Sequence, residues 1–291
     1  MTRRRLMVIM PVVVVLGLGA ALLVDITRKK PQVRPPISSS EQLRPPISSQ
    51  AIDEMSLPRF ITADFIELDK VENVSPFRSG GGHDYSADSS GETCRSKKHY
   101  FSPTMAARGG AEANKHRKEL DARGETVPPP DESLAAKIFS PVDGIIFDVS
   151  KTHWGDALKI KPADQPAFVI EISHVFLYPG TTEGMTVKAG QRIAYTGNST
   201  DMSITWSPGL DAARKVIDPT DEWFYVSYFS VMTDSVFAAY KARGVKDRGQ
   251  MVVSREWRDA HPFECDGGTF LGNYEETRPE DTVFTLTPVD G

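Results

Sequence analysis

Two short runs near the middle of the chain constrain its fold most strongly. Residues 139–149 read FSPVDGIIFDV, and residues 185–197 read MTVKAGQRIAYTG. Each run places β-branched and aromatic residues on both sides of a glycine-centred turn, which is typical of short antiparallel strands. Between them, residues 167–174 (AFVIEISH) predict a strand that ends at His174. The sequence therefore predicts a mainly β core over residues 137–207.

The order of these runs resembles the barrel-sandwich hybrid, or duplicated hybrid motif, of the lysostaphin-type (LytM-like) zinc metallopeptidases. The run VKAGQRI at residues 187–193, followed by Gly197, is similar to the pattern V-K-x-G-Q-x-I-x-x-x-G of that superfamily. Carrier domains and the glucose-type phosphocarrier share the fold. The resemblance therefore implies a fold more strongly than a reaction.

The resemblance also implies a zinc site, and the sequence departs from it. In the superfamily, the metal is held by a His and an Asp in H-x-x-x-D and by the second His of H-x-H. His99 matches the first zinc histidine, but Pro103 stands at the aspartate position. His174 matches a strand-end histidine that positions water, and Ser203 and Thr205 stand where H-x-H should be. Catalytic zinc needs three protein ligands, so the site is predicted to be degenerate.

Three functions follow from this comparison. The favoured hypothesis is a module without peptidase activity and without a cofactor, which binds cell-wall material or an envelope protein. The first alternative is a zinc-dependent hydrolase with a non-standard site of His99 and His174, with His83, Asp84 and Asp201 as further candidate ligands. The second alternative is a phosphocarrier in which His153 and His174 pass a phosphoryl group. An exported domain would not meet a cytoplasmic phosphate donor, which counts against this last alternative.

The N-terminus predicts a membrane anchor. Residues 3–5 are all arginine and precede an uncharged run of 19 residues, 6–24. As a helix this run is about 28 Å long, close to the thickness of a bilayer core. The basic residues predict a cytoplasmic N-terminus and an extracytoplasmic remainder in a single-pass protein. A cleaved signal peptide is the alternative.

A linker is predicted after the anchor. Residues 25–56 are rich in proline and serine, and the sequence RPPISS occurs twice, at 34–39 and 44–49. Such composition favours an extended, solvated chain. The linker is expected to hold the folded part away from the membrane.

Charge and cysteine content narrow the class of protein further. The chain has 34 basic and 39 acidic residues, and residues 1–30 hold six basic and one acidic residue. The remainder therefore carries a net charge of −10, which argues against nucleic acid as a partner. Cys94 and Cys265 are the two cysteines, and in an exported domain they are candidates for a disulfide. Two unrelated buried thiols are the alternative.

Two further regions complete the predicted organisation. Residues 57–136 form an N-terminal part that carries the His99 strand and a polar insertion at 105–125, expected to be an exposed helix or a mobile segment. Residues 208–291 predict an α+β extension packed on the core. Within it, Thr233 or Asp234 is expected to begin a helix with apolar residues on one face.

Overall fold

The computed structural model describes residues 53–152, 154–208, 222–272 and 283–288. The predicted anchor at 6–24 and almost all of the linker lie outside these residues. No helix in the described ranges is long and apolar enough to cross a membrane.

Antiparallel strands dominate the described part of the chain. The strands are β1 (Val71–Val74), β2 (His99–Pro103), β3 (Ala136–Phe139), β4 (Gly144–Thr152), β5 (Gly155–Pro162), β6 (Phe168–Leu177), β7 (Thr186–Val187), β8 (Arg192–Thr196), β9 (Thr200–Trp206), β10 (Phe224–Val226), β11 (Glu264–Asp266), β12 (Thr269–Leu271) and β13 (Phe284–Thr285). Eleven of them form one sheet, and β11 and β12 form a separate hairpin. The expectation of a mainly β fold is confirmed.

Four short helices accompany the strands. They are α1 (Gly110–Ala122), α2 (Tyr228–Val231), α3 (Asp234–Ala242) and α4 (Arg255–Ala260). Helix α1 lies in the polar insertion, and α3 is the helix predicted in the C-terminal region, with Thr233 as its N-cap. Its buried residues, Val236, Phe237 and Tyr240, share one face as the sequence indicates.

The main path of the sheet runs β13-β1-β2-β9-β6-β5-β4-β7, with β10 also paired to β9. Strand β6 changes partner along its length. Residues 168–173 pair with β9, whereas Phe176 and Leu177 pair with β8, which in turn pairs with β3. The change of partner falls at His174, so this residue lies where the sheet leaves its main path.

Alternation along the central strands builds the core. In β6, Phe168, Ile170 and Ile172 are buried, whereas Val169 and Glu171 are partly exposed. This is the period of two that the sequence shows, and it confirms the prediction of a strand.

One hydrophobic cluster joins the regions that the sequence distinguishes. It contains Phe65 and Phe101 from the N-terminal part, Ile172 from the central strands, and Tyr228 and Tyr240 from the C-terminal region. The C-terminal region therefore completes the same core and does not build one of its own.

A tight turn leads into β4. At Gly144, an added Cβ would lie 2.4 Å from the main-chain oxygen of Lys161, so only glycine fits the close approach of the two strands. The glycine of the SPVDG run is thus required by the packing of β4 against β5.

Candidate functional site

His99 faces the hydrophobic core. Its Nδ1 donates to the main-chain oxygen of Ser75 at 2.8 Å, and its Nε2 lies 2.8 Å from the hydroxyl of Ser227. The carbonyl can only accept, so Nδ1 carries the proton and Nε2 accepts from the hydroxyl. Burial lowers the pKa of His99 to about 4. His99 is therefore neutral, and both ring nitrogens are already hydrogen-bonded.

Lys98, the residue before β2, lies on the side of the chain opposite to His99 and belongs to a different group of side chains. Lys98 is buried, and its Nζ lies 3.1 Å from Oδ1 of Asp201 and 3.8 Å from the ring centroid of Tyr85. Nε2 of His174 lies 3.1 Å from Oδ2 of the same aspartate. Asp201 thus links a lysine from the N-terminal part to a histidine of β6.

The electrostatics of this group follow from its contacts. Burial alone would raise the pKa of Asp201, but its contact with His174 and the charge of Lys98 hold that pKa below its ordinary value. Burial, and then the charge of Asp201, raises the pKa of the neighbouring Tyr100 well above its usual range. Asp201 is therefore an anion and Tyr100 a neutral phenol at physiological pH.

The backbone at His174 is unusual. Ser173 pairs with Ala157 and Val175 pairs with Asp156, so His174 is a bulged residue without a partner in β5. Its φ is 62°, a left-handed conformation that is uncommon for residues other than glycine. Bulges often redirect a side chain next to a functional site. Here the bulge directs the imidazole toward Asp201.

A cleft of about 250 Å³ opens beside these residues. Tyr100 and His174 line it from the sheet, and Arg108, Arg117, Trp154 and Asn198 line it from the surrounding loops and helix α1. His174 is the residue that belongs both to this cleft and to the Asp201 contact. We therefore regard the cleft as the candidate functional site.

The structure does not bring His99 and His174 into one site. His99 contacts Ser75 and Ser227 inside the core, whereas His174 contacts Asp201 and lines the cleft. Adjacent residues of a strand face opposite sides of the sheet. A zinc site that uses His99 would therefore draw on the core side, whereas His174 faces the cleft. The two-histidine zinc site is not formed.

The predicted closing motif is also displaced. Ser203 is buried opposite Glu171, and Thr205 lies opposite Val169, still further from the cleft. The β9 residue that contacts His174 is Asp201, which the sequence offered only as a possible metal ligand and not as a partner of His174. Buried Met202 and Ile204 fix the alternation of β9, and this signal places Asp201 on the same side as Ser203.

The remaining candidates have structural contacts in the loop before β2. Nδ1 of His83 bonds to the main-chain oxygen of Asp84 at 2.9 Å. Asp84 accepts from the hydroxyl of Ser86 at 2.5 Å and from the main-chain NH of Arg95 at 3.1 Å. His153, the other phosphocarrier candidate, lies outside the described residues.

Cys94 and Cys265 form a disulfide, with their Cα atoms 5.7 Å apart. It joins the loop before β2 to the hairpin of β11 and β12 across 171 residues of sequence. The loop that carries Lys98 and Tyr85 is therefore covalently tied to the C-terminal region.

Zinc, which the peptidase resemblance implies, does not fit these residues. A zinc site takes three or four protein donors at roughly 2.0–2.3 Å. This group supplies two, His174 and Asp201, and the ammonium of Lys98 is already paired with the same carboxylate. In the part of the chain that the structure describes, no three His, Cys, Asp or Glu side chains are grouped to hold a metal ion.

The similarity of this chain to known proteins is found among solved structures. No family model matches the chain, and no curated protein matches it. The solution structure of lysostaphin matches with a TM-score of 0.22 and 14% identity, covering 30% of this chain and 39% of lysostaphin. Helicobacter pylori Csd3 matches with a TM-score of 0.30 and 13% identity, covering 78% of this chain and 45% of Csd3. This chain spans less than half of either protein, and TM-scores this low carry no argument about fold or activity.

Proposed function

We propose that this protein is a membrane-anchored, extracytoplasmic module with a lysostaphin-like, barrel-sandwich hybrid core that binds a ligand of the cell envelope without hydrolysing it. The motifs at residues 139–149 and 185–197 support the superfamily, and the antiparallel sheet is compatible with it. The ligand is cell-wall material or an envelope protein, held in the cleft beside His174.

One observation carries this proposal: the Lys98–Asp201 pair. Both side chains are buried, and the ammonium of Lys98 lies 3.1 Å from the carboxylate. A metal ion bound at Asp201 would have to share this carboxylate with a positive charge that is shielded from solvent. Like charges in such a site repel each other more strongly than they do in water. The pair therefore favours a fixed, metal-free cleft.

The predicted anchor and linker support the location. The end of the predicted linker is part of the fold, because Glu54–Ser56 form a short 3-10 helix and Glu54 pairs with Arg78 at 2.7 Å. The 28 residues 25–52 would span about 90 Å if they were extended as polyproline II helix. Such a tether would let the folded part reach cell-wall material while the chain stays at the membrane.

Assays of zinc binding and of peptide hydrolysis test whether the protein lacks peptidase activity. The full chain, purified in detergent micelles, would be titrated with zinc by calorimetry, analysed for metal, and incubated with cell-wall peptides. We expect no stoichiometric zinc and no cleavage. The test includes His174→Ala and the control His261→Ala, which removes an exposed histidine that stacks on Trp257. One zinc per chain that His174→Ala alone abolishes, together with cleavage, would overturn the proposal.

Co-sedimentation with purified insoluble cell-wall material tests the binding function. We expect the wild-type protein to sediment with the wall and Trp154→Ala to sediment less, because Trp154 lines the cleft. Trp257→Ala is the matched control, since Trp257 is an exposed tryptophan outside the cleft lining. Equal retention of both variants would exclude the cleft as the binding site for the wall.

A further inference from the structure

Helix α1 buries a single described side chain, and that side chain is a cation. Arg117 is only 6% exposed, whereas the rest of the helix is partly or fully exposed. Its Nε donates to Oδ1 of Asn198 at 3.1 Å, and its Nη2 donates to the main-chain oxygen of Arg108. Both acceptors are neutral, so these contacts leave the charge of Arg117 uncompensated.

The guanidinium group of Arg108 lies close to that of Arg117 and also donates to a neutral acceptor. Nε of Arg108 donates to the main-chain oxygen of Pro103 at 2.8 Å. Among the described residues, neither Arg108 nor Arg117 forms an ion pair with a carboxylate. Burial and the neighbouring Arg108 lower the pKa of Arg117, and burial lowers the pKa of Arg108 despite an opposing influence of Glu72. The two guanidinium groups therefore lie in the cleft lining, together with Lys118, and neither guanidinium is in ion-pair contact with a carboxylate of the described residues.

The cleft also offers unused polar atoms. Nδ2 of Asn198 is buried and has no hydrogen-bond partner, although Oδ1 of the same amide accepts from Arg117. Nδ1 of His174 is likewise buried and without a hydrogen-bond partner, but Nε2 faces the Asp201 carboxylate, so in the neutral ring Nδ1 is an acceptor. A buried donor without an acceptor is unfavourable, so a ligand that supplies an acceptor to Nδ2 of Asn198 would be favoured. Both residues line the cleft with the two arginines.

We infer that this cleft binds the carboxylate of an acidic peptide, with the anion between Arg108 and Arg117 and within reach of the amide of Asn198. Guanidinium groups match the planar, two-oxygen geometry of a carboxylate. Trp154 supplies an aromatic surface beside the charged groups for the rest of the peptide. The inference deepens the proposed binding function and rests on it for the biological setting of the ligand.

Size and charge favour an acidic peptide over a polyanion. The cleft measures about 250 Å³, slightly below the usual range of about 300–1,000 Å³ for pockets that enclose a drug-sized ligand. It is suited to one side chain or a chain terminus. Residues 31–291 carry a net charge of −10, which repels a long polyanion more strongly than a single carboxylate because the repulsion grows with the charge of the ligand.

Two peptides that differ only in charge test the inference. The full chain in micelles, with ¹⁵N-labelled tryptophan, would be titrated with acetyl-Ala-Glu-Ala-amide and with its Gln counterpart. The indole signal of Trp154, assigned with Trp154→Phe, reports binding in the cleft. We expect saturable shifts with the Glu peptide and at least about tenfold weaker binding of the Gln peptide, as for the loss of a charged hydrogen bond. Equal affinities for the two peptides would overturn the inference without depending on any protein variant.

Matched variants locate the site. Arg117→Gln and Arg108→Gln are each expected to weaken the Glu peptide by about tenfold, while Lys115→Gln leaves it unchanged. Lys115 lies on the same helix and loses the same charge, but it does not line the cleft. Arg108→Gln keeps the Arg117–Asn198 contact, so it tests the charge even where Arg117→Gln loosens the helix. An equal loss in Lys115→Gln would show a non-specific charge effect and overturn the inference.

Phosphate competition and a cleavage assay complete the test. Inorganic phosphate is expected to displace the Glu peptide weakly. If phosphate binds more tightly than the peptide, the site is a phosphate site and the acidic-peptide assignment fails. Cleavage of cell-wall peptides by a protein that still prefers the Glu peptide would overturn the non-hydrolytic function and support the carboxylate site.

Discussion

Nζ of Lys98 lies 3.1 Å from Oδ1 of Asp201, and the two residues are 103 positions apart in the sequence. Both side chains are buried, and Oδ2 of Asp201 lies 3.1 Å from Nε2 of His174. The carboxylate is therefore the common partner of two basic groups from different strands and loops. Removing either ionic partner would leave a charge inside the protein.

The stability of the protein should depend on this pair. Lys98→Met is expected to lower the free energy of unfolding by about 3 kcal/mol, because it leaves the Asp201 anion buried with only His174 as a partner. Urea denaturation, followed by circular dichroism, would measure the change. Lys188→Met is the matched control, since Lys188 and Asp143 form an exposed pair at 2.7 Å, and no measurable loss is expected. Similar losses in both variants would show that burial of the pair is irrelevant.

His99 should destabilise the fold in acid. Its pKa is about 4 in the folded state against an ordinary value of 6.5, so the unfolded chain binds more protons between these values. Stability is therefore lost as the pH falls from 6.5 to 4, by roughly 3 kcal/mol in total. Wild type should lose this amount relative to His99→Gln, measured by urea denaturation at several pH values. Parallel profiles for the two proteins would contradict a buried, neutral His99.

Asp64 should act in the opposite direction. It accepts hydrogen bonds from Tyr240 at 2.9 Å and Tyr228 at 3.1 Å, and burial raises its pKa from 3.8 to about 6. The folded state binds the extra proton, so stability rises as the pH falls from 6 to 3.8, by roughly 3 kcal/mol. Relative to Asp64→Asn, wild type should gain stability over this range. A constant difference between the two would exclude the raised pKa.

These two titrations together predict a flat profile for the wild-type protein. The losses at His99 and the gains at Asp64 overlap between about pH 4 and 6 and have opposite signs. The unfolding free energy of wild type should change less over this range than that of either variant. A wild-type unfolding free energy that changes steeply with pH, together with nearly constant values in both variants, would contradict the pKa values of His99 and Asp64.

The disulfide should stabilise both the whole fold and one local element. Replacing Cys94 and Cys265 with serine opens a loop of 171 residues and is expected to cost about 2–5 kcal/mol. Hydrogen exchange should show the greatest loss of protection in the hairpin of β11 and β12, because a two-stranded ribbon is only marginally stable alone. Its other contacts to the loop before β2 include the hydrogen bond from the NH of Asp84 to the oxygen of Gly268 at 2.8 Å. Unchanged exchange in the hairpin would show that these contacts suffice.

The sequence was most informative about single elements. Alternation at Phe168, Ile170 and Ile172 predicted β6, and the apolar face of α3 predicted that helix. These patterns depend on residues within a few positions of one another, where the chain geometry fixes which side chains share a face.

The site could be predicted only in part, because the face of the sheet on which a side chain lies depends on how its strand is aligned with the neighbouring strands. A shift of one residue exchanges the two faces, so a motif that assigned His99 to the site selected the core side of β2. Asp201 contacts both His174 and Lys98, and it is brought to Lys98 by the pairing of β2 with β9, which no local pattern encodes. The bond from Arg117 to Asn198 likewise spans 81 residues.

Helix α1 is anchored to the rest of the described protein through one buried side chain, and that side chain supplies half of the guanidinium pair in the cleft. The eleven-stranded sheet draws its packing from other residues. The helix itself contributes no side chain to the hydrophobic cluster, so its exposed residues can change with little effect on the core. Proteins with the same sheet could therefore acquire new ligand preferences by replacing one surface segment.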